Sequence, residues 1–250
     1  MGDKSAIEWT EATWNPTVGC TKVSPGCKFC YAAVMHARLT AMRMTKYQDP
    51  FTIVKPWEAH LELPLRWKEP RLIFVNSMSD LFHRDVPLLY IQRVFSVMSR
   101  ARQHTFQVLT KRSERLVELA GQLPWPENVW MGVSIESQNY THRAEHLAKV
   151  PAAIRFLSVE PLVGHIPRLP LRGIHWVIVG GESGREARPM KLEWAKEIRD
   201  QCKSQRVAFF LKQLGGKKDK RGGDRAQLEG HLWREYPTRS PSPEWDGPAS

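Results

Sequence analysis

The sequence predicts an α/β protein built as a parallel (β/α) barrel of six to seven strands, partial or nearly complete. Three observations predict it. Short continuous runs of β-branched and aromatic residues recur along the chain, amphipathic segments separate them, and polar or charged residues follow each run. Continuous apolar runs suit strands buried on both faces. Strand–helix alternation with right-handed crossovers yields a doubly wound open sheet or a barrel. No glycine-rich dinucleotide fingerprint follows the first strand, which favours the barrel.

The first strand is expected within Ile7 to Val18, where β-branched and aromatic residues lead to Gly19. A cysteine loop follows at 20–30, then a helix from Tyr31 to Met44 with Val34, Leu39 and Met42 on one side and Arg38 and Arg43 on the other. Residues 46–67 read as a crossover, with a short extension at Phe51 to Val54 and helical turns near Trp57 to Leu63. Further strands are expected at Leu72 to Val75, Phe106 to Leu109, Val129 to Val133, Ile154 to Leu157, Trp176 to Val179 and Val207 to Leu211. Helices are expected at Val86 to Ser99, Ser113 to Ala120, Asn139 to Lys149 and Leu192 to Ser204. Residues 1–236 form a single domain on this reading. The basic stretch Gly215 to Arg225 is a phosphate clamp or a solvated loop, and the Pro/Ser-rich tail at 237–250 is expected to be disordered.

The composition, 42% hydrophobic and 25% charged, is that of an ordinary globular protein. No apolar signal core opens the chain and no run of about 18 apolar residues interrupts it, so a cytoplasmic location and no membrane partner are expected. The 37 Lys and Arg against 26 Asp and Glu give a net charge of +11. That excess attracts polyanions, nucleic acid first among them, or is scattered for solubility.

Three of the four cysteines, Cys20, Cys27 and Cys30, lie within eleven residues framed by Gly19, Pro25 and Gly26. In a reducing compartment such a cluster points to an inorganic centre rather than to disulfides. Three thiolates suit a 4Fe-4S cluster with one open iron, whereas zinc asks for a fourth protein ligand, for which His36 and Cys202 are the candidates. Cys202, in an amphipathic helix, reads more simply as a buried thiol.

Charged residues gather where the strands end. Asn76-Ser-Met-Ser-Asp80-Leu-Phe-His83, Thr110-Lys111-Arg112, Ser134-Ile-Glu136, Ser158-Val-Glu160-Pro161, Gly180-Gly-Glu182-Ser-Gly184-Arg185 and Lys212-Gln213 each follow or close a run. In a barrel these ends share one mouth. Asp80, Lys111, Glu136, Glu160, Glu182 and Lys212 are therefore the candidate catalytic residues, with His83 beside them. Glu136 and Glu160 can alternatively pair with Lys111 and Lys212 as supports. Gly180 to Gly184 lacks the Gly-x-Ser-x-Gly order of a hydrolase nucleophile elbow.

With Trp14-Asn-Pro16, the cysteine loop, Asn76 to His83, Val108 to Lys111, Phe156 to Pro161, Val179 to Gly184 and Phe210 to Gln213 in order, the chain resembles the radical S-adenosylmethionine superfamily. It resembles more closely an uncharacterised phage and bacterial three-cysteine-motif family of radical-SAM-like proteins. The resemblance runs from Ile7 to about Tyr236. It implies a partial barrel in which Cys20, Cys27 and Cys30 hold a 4Fe-4S cluster that binds S-adenosylmethionine and cleaves it reductively to a 5′-deoxyadenosyl radical. Phe29 matches the aromatic position near the adenine. Asn76, Ser77 and Asp80 stand by position where the superfamily binds the methionine amine. Six residues separate Cys20 from Cys27, where the superfamily has three.

Three functions follow as expectations. The first is a radical S-adenosylmethionine enzyme that modifies or repairs nucleic acid and is served by a reducing protein. The second is an iron–sulfur nucleic-acid-binding protein on the same scaffold without that chemistry, and the third is a zinc-stabilised module. A partner protein that completes the site is compatible with each.

Overall fold

Seven parallel strands stand side by side in the order in which the chain makes them. They are β1 (Ala12–Trp14), β2 (Leu72–Val75), β3 (Thr105–Thr110), β4 (Val129–Ser134), β5 (Ile154–Val159), β6 (Trp176–Gly180) and β7 (Ala208–Gln213). The computed structural model describes residue 5, residues 7–216 and residues 222–238. Residues 217–221 of the basic stretch and 239–250 of the tail lie outside the described residues, and with them most of what was expected there.

Sequential order with same-handed crossovers puts every helix on one face, and the twisted sheet must then curl. The result is a half-barrel. Among the described residues no ladder joins β1 to β7, and the outer edge of β7 takes an antiparallel bridge between Phe210 and Arg234 instead, so the barrel is partial. The helices are α1 (Tyr31–Ala41), α2 (Leu88–Arg100), α3 (Ser113–Ala120), α4 (His142–Leu147) and α5 (Leu192–Ser204). No helix among the described residues is long and apolar enough to cross a membrane.

Each strand feeds both faces because successive side chains alternate. Ile73, Val108, Met131, Leu157, Val177 and Phe209 face outward into the main core with α2 to α5. Phe74, Trp130, Phe156, Trp176, Ile178 and Phe210 fill the helix-free concave face. Both ends of the chain close over that face. Trp9 lies 4.7 Å from Phe74 and 6.2 Å from Trp176, ring to ring. Tyr236 lies 5.1 Å from Trp176. Trp176 Nε1 donates to the Glu235 carbonyl at 2.8 Å, and Gly223 N–H donates to the Glu8 carboxylate.

Two local expectations need correction. The expected first strand is broken: Ala12–Trp14 joins the sheet, while Thr17–Val18 pairs antiparallel with Lys55–Pro56. Pro16, which has no N–H to give a ladder, lies between the two pieces. The helix expected over Asn139 to Lys149 is a short 3-10 turn, Gln138–Tyr140, followed by α4.

Candidate functional site

The loop that carries the cysteines leaves the C-terminal end of β1 and folds over the C-terminal edge of the sheet. Gly19, at φ +82°, is where it turns. That is a left-handed conformation natural to glycine, and a Cβ there would collide with the Ile53 carbonyl. Cys20 N–H donates to the Phe51 carbonyl at 2.8 Å. Pro25–Cys27 form one 3-10 turn, and Cys30 is the extended residue that enters α1. All three thiols are free and partly exposed. Cys30 packs with Met35, Leu39 and Phe51 around a small separate core of Val18, Ala32, Tyr47 and Met78.

Three charged groupings from four strand ends hold this loop. After β2 and β3, Asp80 accepts from the Arg112 guanidinium at 2.7 Å, and Arg112 donates onward to the Thr21 carbonyl at 2.9 Å. His83 Nε2 is 2.7 Å from Thr21 Oγ1. After β4, the wholly buried Glu136 accepts from Ser24 Oγ at 2.5 Å and from Arg143 at 3.1 Å, with Lys111 Nζ 4.0 Å away. A Cβ on Gly26 would collide with the Glu136 side chain. After β6, Arg188 grips Glu182 through two bonds of 2.9 and 2.6 Å and donates to the Pro25 carbonyl at 2.9 Å.

The remaining candidates pair as follows. Lys212 Nζ is 2.5 Å from Glu160, which also accepts from Gln213 at 3.1 Å. The pairing of Glu160 with Lys212 thus matches the supporting alternative, and Glu136 has Arg143 as its nearer cation. Phe29 lies under two cations, Lys28 at 5.2 Å and Arg188 at 5.8 Å. Ser77 Oγ faces Asn15 at 3.2 Å and so braces the Trp14-Asn-Pro16 segment. Asn76 differs from all of these. At φ +61° it is 3% exposed, yet among the described residues neither its side-chain nitrogen nor its oxygen has a partner. A buried amide that bonds nothing is costly, and at the mouth of a half-barrel it is a natural contact for a ligand.

Whether these residues fit an inorganic centre turns on how the donors are spread. Among the described residues no three His, Cys, Asp or Glu side chains converge as ligands of one metal ion. His36 is committed elsewhere, its Nε2 bonded to the Asp49 carbonyl at 2.9 Å and its ring set against Tyr47 and Phe51. Cys202 lies in the main core on α5, and burial pushes its thiol up. Neither joins the loop as a fourth zinc ligand. A four-iron cluster asks for thiolates that reach separate irons, which three partly exposed thiols on one loop suit. Burial, helped by the charge of Asp80 and opposed by Arg112, pushes the Cys20 thiol up to about 11. Ligation there releases a proton.

Arg112, Arg143, Arg188 and Ser24 carry the loop, and the sequence reading gave none of them a role. Arg112 directly follows a strand end and was within reach of that pattern. Arg188 lies in an irregular segment with no signal. The Glu182–Arg188 grip has a pH signature. Burial opposes ionisation of Glu182, but the hydrogen bonds and charge of Arg188 prevail and hold the carboxyl below its ordinary value. A carboxyl lowered on folding stabilises above its unfolded pKa, and that stabilisation is lost as pH falls through the lower folded value. Protection of the Cys27 and Lys28 amides, read as the ratio of intrinsic to observed exchange, is therefore expected to fall as pH drops through that lowered Glu182 value. Replacing Arg188 by Met should abolish that step, and the same acid profile of protection in wild type and the Met variant would contradict the assignment.

A family model described as "Protein of unknown function (DUF5131)" matches residues 4–237. No curated protein and no solved structure matches the chain.

Proposed function

Because the chain belongs to the DUF5131 family, whose description assigns no activity, the site must carry the reading, and we propose an iron–sulfur protein of the radical S-adenosylmethionine type that acts on nucleic acid. Cys20, Cys27 and Cys30 would hold a 4Fe-4S cluster. The observation that carries this is the triple anchorage of the cysteine loop by Arg112, Glu136 and Arg188 from three strand ends. A loop held only for its own stability has little reason to keep three thiols free and partly exposed.

A cluster bound there supplies one electron for reductive cleavage of S-adenosylmethionine. The chain's own residues then have distinct tasks. Asp80, Glu136 and Glu182 act as positioning residues that hold the loop through Arg112, Ser24 and Arg188. The open amide of Asn76 and the ring of Phe29 would contact the cofactor, and the Glu160–Lys212 pair would serve as a support, with Lys111 left for substrate. Nucleic acid as substrate draws support from charge. No Asp or Glu occurs from Ala12 to Gln48, and Lys22, Lys28, Arg38 and Arg43 are exposed there.

Anaerobic reconstitution tests the reading. Iron and sulfide near four each per chain, and 5′-deoxyadenosine formed on reduction with S-adenosylmethionine but not by a Cys20→Ala variant, is the expected result. One observation favours a second reading, nucleic-acid binding without that cleavage: six residues separate Cys20 from Cys27, where the superfamily has three. A cluster with salt-dependent nucleic-acid binding and no deoxyadenosine would select it. Stoichiometric zinc without iron would overturn both.

A further inference from the structure

The three thiols do not have equivalent surroundings. Both terminal nitrogens of Arg112 lie 3.7 Å from Cys20 Sγ. Cys27 Sγ has the neutral Ser24 hydroxyl 3.8 Å away, and Cys30 packs on apolar side chains. Among the described residues a charged donor therefore addresses one sulfur of the three.

That donor is built into place. Its Nη1 is fixed by Asp80 at 2.7 Å and its Nη2 by the Thr21 carbonyl and hydroxyl at 2.9 and 3.2 Å. Asp80 is fixed in turn by Thr110 Oγ1 at 2.7 Å, Phe82 N–H at 3.0 Å and Lys111 N–H at 3.2 Å. The Arg112 backbone N–H closes the set on Thr110 Oγ1 at 2.9 Å. A planar fork with five donors can serve a carboxylate, a carbonyl and a sulfur at once, which an ammonium cannot. Simple anchorage of Thr21 would need only one of these groups.

We propose that Arg112 is a positioning residue that makes Cys20 electronically distinct among the three ligands and sets the reduction potential of the centre they hold. The proposal rests on the cluster reading above. A cation that donates to a ligand sulfur favours the more negative, reduced state, so it raises the potential. It also holds Cys20 at the far side of the six-residue spacer from Cys27.

The test is a redox titration of reconstituted full-length protein, followed by the cluster's electron paramagnetic resonance signal, for wild type, Arg112→Lys and Arg112→Met. Iron and sulfide content and a thermal melt by circular dichroism accompany each titration. The midpoint potential is expected to fall from wild type to Lys to Met, with Lys melting close to wild type and Met, which leaves Asp80 without its cation, melting lower. Loss of iron from the Met variant with retention in the Lys variant supports the positioning role. Equal potentials in all three loaded proteins overturn the inference and leave the cluster reading standing. A wild type that takes up no iron and sulfide overturns the cluster reading, and the inference falls with it. A Met variant that melts far below the other two, with Lys at the wild-type potential, assigns Arg112 to folding alone and also overturns it.

Discussion

Replacing Glu136 by alanine is expected to destabilise the protein by about 3–5 kcal/mol, the usual cost of leaving one member of a buried ion pair alone. Glu136 is wholly buried and Arg143 nearly so, with 3.1 Å between them. Removing the carboxylate strands the Arg143 charge, since its other bond is to the Ser134 carbonyl. Glutamine keeps the shape and an acceptor for Ser24, so Glu136→Gln should cost about 1–3 kcal/mol. The double variant Glu136→Ala/Arg143→Met should recover part of the loss, since no charge is then left unpaired. Urea unfolding of the four proteins measures all of this. An alanine variant within about 0.5 kcal/mol of wild type, as for an ordinary surface change, would show that the pair is not a structural support. Faster exchange of the Cys27 amide in the same variant would connect the pair to the loop.

Trp176→Ala should cost a comparable amount, about 3–5 kcal/mol, by opening a cavity in the concave face. The ring touches every side of that core. It lies 6.0 Å from Trp130, 5.8 Å from Phe156, 6.1 Å from Phe210 and 5.1 Å from Tyr236. Its Nε1 also holds the Glu235 carbonyl. The truncation thus removes packing and one of the bonds that hold residues 233–236, leaving their pairing with β7 to hold the segment alone. Limited proteolysis should cut the variant early in that segment, and Trp176→Phe should lose less stability. Resistance equal to wild type in the alanine variant would mean that the C-terminal segment is held by its other contacts.

The strands were legible because continuous apolar runs have few alternatives. Leu72–Val75 matches its expected bounds, and the other strands of the sheet after β1 differ by one or two residues at an end. Helix Ser113–Ala120 and helix Leu192–Ser204 were equally plain from their one-sided apolar spacing. The N-terminal strand was misjudged because Ile7 and Trp9 are apolar for another reason: they pack on the concave face rather than in the ladder. The short pairing of Lys55–Pro56 had no signal, since a two-residue strand has no period. At the site, strand-end carboxylates could be listed from the pattern. Their partners could not, because Arg143 and Arg188 lie seven and six residues beyond Glu136 and Glu182, across stretches that form no single helix or strand and need the chain to fold back.

The order of the strands sets a timetable for the cysteine loop. The thiols leave the ribosome before their anchors, which follow at Asp80, Arg112, Glu136 and finally Arg188, 158 residues after Cys30. Domains assemble as the chain emerges, N-terminal parts first. The loop therefore waits, exposed, until the sixth strand and the segment after it have been made. On the proposed cluster reading, insertion of the centre would be a late event in the life of the nascent chain, and the thiols would need protection from oxidation until then.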